Sequence, residues 1–120
     1  MIFTCTNDNK EDIKPKINDI CNKITISFKN DIVPIFNTHC INPGCHSGNS
    51  PQSNLNLESD KAYVQLSRKS RGYIDTLEPK NTVLYASLTS TISPMPPSGK
   101  LDDCTLALFE KWMKQGAKNN

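Results

Sequence analysis

The chain has 120 residues, 36% of them hydrophobic and 7% aromatic, with a formal net charge of +2. That length builds one domain with a modest core, and the apolar content is lean for it. No polybasic run marks a nucleic-acid or membrane face, and no apolar run approaches the roughly 18 residues of a spanning helix. Five cysteines, Cys5, Cys21, Cys40, Cys45 and Cys104, are many for this size. They point to metal in a reducing compartment and to cross-links in an oxidising one.

Residues 1–20 read as a flexible polar tail, because Thr6-Asn7-Asp8-Asn9-Lys10-Glu11-Asp12 has no apolar periodicity. Within it, Ile2-Phe3-Thr4-Cys5 resembles the end of a lipoprotein signal, whose cleavage leaves an acylated cysteine. Phe3 and Thr4 are bulkier than that signal prefers, and a surface thiol is the plain alternative for Cys5. Ile24-Thr25-Ile26-Ser27-Phe28 alternates apolar and polar, which predicts a short extended segment. Asn30 or Asp31 then caps a helix through about His39, with Pro34 in its first turn, where a missing N–H costs little. Ile32, Ile35, Phe36 and His39 follow i, i+3, i+4, i+7 and share the face that leads into Cys40.

Next comes Cys40-Ile41-Asn42-Pro43-Gly44-Cys45-His46. Two thiols and an imidazole crowd into seven residues, and the histidine directly follows the second thiol. That ending is the pattern of a covalent haem site, in which each sulfur forms a thioether and the histidine reaches the iron. The usual spacer is two residues and here it is four. Pro43-Gly44 suits the enlarged loop, since proline fixes one bend and glycine permits a positive φ beside it.

After His46, residues 47–54 are a loop by composition, and Leu55 and Leu57 tuck inward. A short helix is predicted from about Asp60 to Leu66, capped by Ser59. Arg68, Lys69 and Arg71 form the tight basic cluster; such a cluster is a solvated surface, or one member neutralises a haem propionate or meets an acidic partner. Pro79-Lys80-Asn81 breaks the chain and caps a helix over about 82–88, with Val83, Leu84 and Leu88 available for burial. Three prolines around Met95 in Ser93-Pro94-Met95-Pro96-Pro97-Ser98-Gly99 favour a stiff extended loop, able to hold one thioether against an iron. Asp102 or Asp103 caps a final helix to about Gln115, and Gly116 stops it. Leu101, Cys104, Leu108, Phe109, Trp112 and Met113 give that helix a broad apolar face. No internal repeat is present, so one haem is implied.

Residues 30–36 leading into the cysteine, Cys40-x4-Cys45-His46, Pro79-x-Asn81-x-x-Leu84-Tyr85, Met95-Pro96-Pro97 and Trp112-x3-Gly116-Ala117 occur here in that order. The pattern resembles that of small exported bacterial single-haem c-type cytochromes over roughly residues 24–118. The resemblance implies an all-α, class I cytochrome c fold for residues 21–120, with crossing N- and C-terminal helices and shorter helices and loops wrapping one haem c. It implies thioether attachment at Cys40 and Cys45, His46 as proximal iron ligand and Met95 as distal ligand. In some relatives a cysteine before the first helix is bonded to one opening the last, which here would pair Cys21 with Cys104. A cross-link closing that loop stabilises by about 4–5 kcal/mol in the entropy model.

A His/Met-ligated iron has both axial positions filled, which favours electron transfer over catalysis, and methionine raises the potential relative to a second histidine. The expected function is therefore electron transport between redox partner proteins, not enzymatic. The chain would act as a monomer in the periplasm or at the cell surface, held to a membrane only through a lipid on Cys5. His46 is expected to donate its other ring nitrogen to a loop carbonyl such as that of Pro43. Met113 is read as core, His39 as helix surface or a propionate contact, and Lys100 as a high-pH competitor of Met95. Two alternatives belong to other classes. One is a haem enzyme or sensor in which Met95 dissociates; the other is a zinc module using Cys40, Cys45 and His46, which lacks a second ligand pair at zinc-finger spacing.

Overall fold

The structure is a computed structural model and describes residues 22–120. The expected tail over 1–20, the lipid attachment at Cys5 and the Cys21 half of the cross-link lie outside the described residues. Among the described residues every regular element is helical and there is no strand, which is compatible with the expected all-α class. No helix among them is long and apolar enough to cross a membrane.

The first helical run begins with a wide turn, Phe28–Ile32, and tightens into α1, Val33–His39. In the wide turn the Ile32 and Val33 amides reach back five residues, to the carbonyls of Ser27 and Phe28. Pro34 accounts for the widening: it has no N–H to give, and its ring would press on the carbonyl four residues back in a regular turn. Ser27 starts the run, not Asn30 or Asp31. Its hydroxyl accepts the Asn30 amide at 3.0 Å while Asp31 Oδ2 accepts the Ser27 amide at 2.7 Å, a reciprocal cap. The extended segment expected over 24–28 forms no strand, and at Phe28 it has already entered the helical turn. Ile26 and Phe28 are buried but Ile24 is 85% exposed, and the segment has no strand to pair with. Its backbone is tied instead to the side chain of Gln115, which accepts from the Ile26 amide at 2.9 Å and donates to the Ile24 carbonyl.

Helix α2 is Ala62–Leu66, shorter than expected and not capped by Ser59, which is exposed. The Lys61 and Ala62 amides are satisfied by the Glu58 carbonyl, each at 2.8 Å. Helix α3, Val83–Thr89, is capped by Thr82, whose hydroxyl accepts the Tyr85 amide, while Pro79–Asn81 forms a separate 3₁₀ turn. Leu84 and Leu88 are buried as expected, but Val83 is 47% exposed. Helix α4, Asp103–Lys114, is capped by Asp102, whose carboxylate accepts the Thr105 amide at 2.7 Å. It stops where the Ala117 amide reaches the Trp112 carbonyl and the Gly116 amide the Met113 carbonyl. That paired closure needs a left-handed residue, and Gly116 supplies it at φ +105°.

The core joins these helices through aromatic rings. Phe28 packs against Trp112 at 5.0 Å, Tyr63 at 5.3 Å and Phe36 at 6.3 Å between centroids, and Phe36 meets Phe109 at 5.8 Å. The first helical run is thereby fixed to α4, and α2 to both. Trp112 Nε1 donates to the Lys118 carbonyl and the Tyr63 hydroxyl to that of Ala117, so both polar tips are satisfied as the rings are buried. Met113 is fully buried, as its place on the apolar face predicts. Cys104, at the start of α4, is disulfide-bonded, and its partner lies outside the described residues.

Candidate functional site

Helix α1 ends at His39 and delivers the chain into the thiol loop. The Cys40 amide still bonds the Phe36 carbonyl at 2.8 Å, so Cys40 leaves the helix in a fixed direction. The Cys40 carbonyl then accepts the His46 amide at 3.0 Å, and the Cys45 amide bonds the Asn42 carbonyl at 2.9 Å. These two bonds close the four-residue spacer into one loop. Its turn runs through Gly44 at φ +84°, a conformation a side chain would strain. Cys40 and Cys45 are both free thiols, the first buried and the second half-buried. Burial, reinforced by the neighbouring charge of Cys45, pushes the Cys40 thiol up to about 11.

His46 is held from three sides. Its amide bonds Cys40, its carbonyl accepts the Leu57 amide at 2.8 Å, and its Nδ1 lies 3.0 Å from the Leu55 carbonyl. A carbonyl can only accept, so Nδ1 carries a proton, and in the neutral ring the lone pair is on Nε2. A loop carbonyl was expected as the partner. It comes from Leu55, beyond the loop, and not from Pro43, which sits on the exposed outer side.

Two hollows that share part of their lining lie beside these groups. The outer one, about 250 Å³, is lined by His39, Cys45, Gly44 and Gln52 on one side and by Pro96 and Pro97 on the other. The inner one, about 110 Å³, is walled by Phe36, Leu55, Leu57, Tyr73, Leu84 and Leu88. Cys40, His46 and Met95 line both. Met95 reaches them from the proline loop, where its amide bonds the Ser87 carbonyl at 3.0 Å and its side chain packs on the core. The sequence-predicted residues Cys40, Cys45, His46 and Met95 thus share one largely apolar cleft. Lys100 is exposed and does not line it.

Three further contributions complete the site. His39, expected as helix surface or a propionate contact, lines the outer hollow. Arg68 donates to the carbonyls of Gln65 and Asn54, each at 2.9 Å, and Arg71 to that of Ser53 at 3.3 Å. The basic cluster is therefore not simply solvated. Two of its members hold the turn Gln52–Asn54, whose residues Ser53 and Asn54 have φ of +56° and +54°. The third is Gln52, a polar side chain at the rim of the cleft.

The donor set fits a covalently held haem: two unpaired thiols, an imidazole with a defined free nitrogen, a thioether and apolar walls around all of them. Among the described residues no three or more His, Cys, Asp or Glu side chains come together as a metal-ion cluster. In comparisons with known proteins, no family model, no curated protein and no solved structure matches this chain.

Proposed function

We propose that this chain is a single-haem c-type cytochrome that carries electrons between redox partner proteins. Cys40 and Cys45 would hold the haem through thioether bonds, and His46 and Met95 would ligate its iron. The observation that carries the reading is that these four side chains, from two segments far apart in sequence, line one apolar cleft. On this reading the helices are those of a class I cytochrome c, with the run ending at His39 and α4 as the packed terminal pair. The disulfide at Cys104 supports an oxidising compartment, the periplasm or cell surface, with a lipid on Cys5 as the membrane tether.

When bound, the haem supplies a one-electron couple at its iron. The rest is the chain's work. Cys40 and Cys45 fix the edge of the group to the loop. The Leu55 carbonyl keeps the His46 proton on Nδ1, so Nε2 is presented as a neutral donor of fixed orientation. Met95 would ligate the iron from a loop stiffened by Pro94, Pro96 and Pro97. Leu55, Leu57, Leu84 and Leu88 exclude water, which disfavours the charged ferric state and raises the potential.

The test is a visible spectrum of the reduced protein, acid–acetone extraction and an intact mass, after expression with haem-attachment machinery. A sharp α-band that resists extraction, with mass raised by one haem, is the expected result. A colourless protein of unmodified mass overturns the reading.

A further inference from the structure

Asn56 is one of two buried polar side chains among the described residues, at 6% exposure, and it sits between the inward-facing Leu55 and Leu57. Nothing in the haem-site pattern requires it. Every hydrogen-bonding group of its side chain is nonetheless engaged. Oδ1 accepts the Glu58 amide at 2.9 Å, and Nδ2 donates to the Gly48 carbonyl at 3.2 Å and to Glu58 Oε2 at 3.1 Å. Its own amide donates to Gln65 Oε1 on α2 at 3.1 Å, and Glu58 Oε2 returns to the Gly48 amide at 2.7 Å. The segment thus gripped is the one whose ends meet His46: the Leu55 carbonyl takes its Nδ1 proton and the Leu57 amide its carbonyl.

We propose that Asn56 is a positioning residue for His46, which by locking the Leu55–Leu57 backbone sets the direction of the Leu55 carbonyl and so the orientation and donor strength of the imidazole. This rests on the proposed function for what the imidazole ligates, though not for how it is held. Only an amide can fill the place. The site asks for one acceptor toward Glu58 N–H and two donors, toward a carbonyl and a carboxylate, and a carboxylate or a leucine would leave or repel these partners. A stronger Nδ1–H···O bond makes the imidazole a better donor and favours the oxidised iron. Loosening that bond should therefore raise the potential.

Two readouts separate this from a purely structural role. In protein labelled with ¹⁵N-histidine, as isolated, the His46 Nδ1–H should give a resolved, slowly exchanging resonance. In Asn56→Ala it should shift and exchange at least several-fold faster. Gln65→Ala, which releases only the backbone grip, should do the same to a smaller degree and keeps the test open if Asn56→Ala does not fold. Asp102→Ala removes the α4 cap, which shares no hydrogen bond with the 55–58 segment, and should cost stability without moving that resonance. The second readout is the reduction potential, which should rise in Asn56→Ala and Gln65→Ala and stay put in Asp102→Ala. An unchanged His46 resonance and potential in both variants overturn the proposal. Wild-type protein without attached haem would defeat the function reading alone, because the Nδ1–H measurement still decides whether Asn56 holds His46.

Discussion

Replacing Phe28 with alanine should remove a large part of the stability. Phe28 is 2% exposed and touches three other rings, on α1, α2 and α4. An aromatic side chain buries about 150–250 Å², which at about 25 cal/mol per Å² is about 4–6 kcal/mol of transfer energy. Alanine keeps a fraction of that, and the space left is hard to refill. Trp112 is tethered by its indole N–H to Lys118, and Tyr63 by its hydroxyl to Ala117, so neither ring can swing in without breaking a bond. The loss should fall in the upper part of the usual Phe→Ala range, about 4–5 kcal/mol. Against a total of about 5–15 kcal/mol that is about a quarter or more. With m about 2 kcal/mol/M, equilibrium unfolding in urea should show the midpoint lowered by about 2 M. Ile24→Ala, at an 85% exposed position in the same segment, should stay within about 0.5 kcal/mol of the parent. A loss below about 1 kcal/mol in Phe28→Ala at unchanged m would refute the packing argument. Phe28 does not line the cleft, so the measurement is independent of what the cleft holds.

On the proposed reading, Met95→Ala should abolish the sulfur-to-iron absorption band and lower the reduction potential; survival of both removes Met95 as a ligand. Glu58 has its carboxyl held below the ordinary 4.5 by the Gly48 amide first and the Asn56 side chain second. A lowered folded pKa means this contribution is complete above the unfolded value and fades as pH falls through the folded one. Asp75, held low by the Glu78 and Leu77 amides, acts in the same sense from its lower ordinary value of 3.8. Glu58→Gln and Asp75→Asn should each flatten the fall of the urea midpoint below about pH 4.5, and an unchanged slope in both rejects the assignment. Cys104→Ser should cost about 2–5 kcal/mol and free one thiol in a denatured, unreduced sample. Peptide mass after alkylation should place that thiol at Cys21; finding it at Cys5 overturns the expected pairing.

The helices were legible where their period is strong, and their starts were misplaced where a side chain competed with its neighbours. Asn30 and Asp31 are both good caps, but Ser27 and Asp31 cap reciprocally, and that pairing moved the start to Phe28. Ile24, Ile26 and Phe28 alternate like a strand, yet Ile24 is exposed and only Ile26 and Phe28 are buried, so the alternation here marks no paired sheet face. With no partner strand the segment was satisfied by Gln115, a tertiary contact no local pattern carries. In the site the spacing of Cys40, Cys45 and His46 and the prolines around Met95 were readable because they are side-chain identities. The Leu55 carbonyl was not readable, since every residue owns a carbonyl and only the fold aims one. The same holds for Arg68 and Arg71, whose partners are backbone oxygens. Asn56 hid between two leucines that any pattern reading assigns to the core.

The two sides of the cleft are held by different means, and the difference bears on what the protein does. His46 is fixed by bonds at its amide, carbonyl and Nδ1. Met95 has one backbone bond, to Ser87, and otherwise depends on its side chain's packing against the core and on Pro94, Pro96 and Pro97, which stiffen the loop by limiting its alternatives. On the proposed reading, if either iron ligand yields, it is Met95. A carrier needs the loop to stay closed in both oxidation states; a sensor or an enzyme needs it to open. The prolines favour the first, because they stiffen the loop and because Pro96 is buried beside Met95. Carbon monoxide decides it. Reduced protein of a carrier should keep its spectrum under saturating carbon monoxide at neutral pH. Rapid conversion at low concentration would mean that Met95 leaves readily, and the cleft would then be a binding site for a small ligand and not only a seat for electrons.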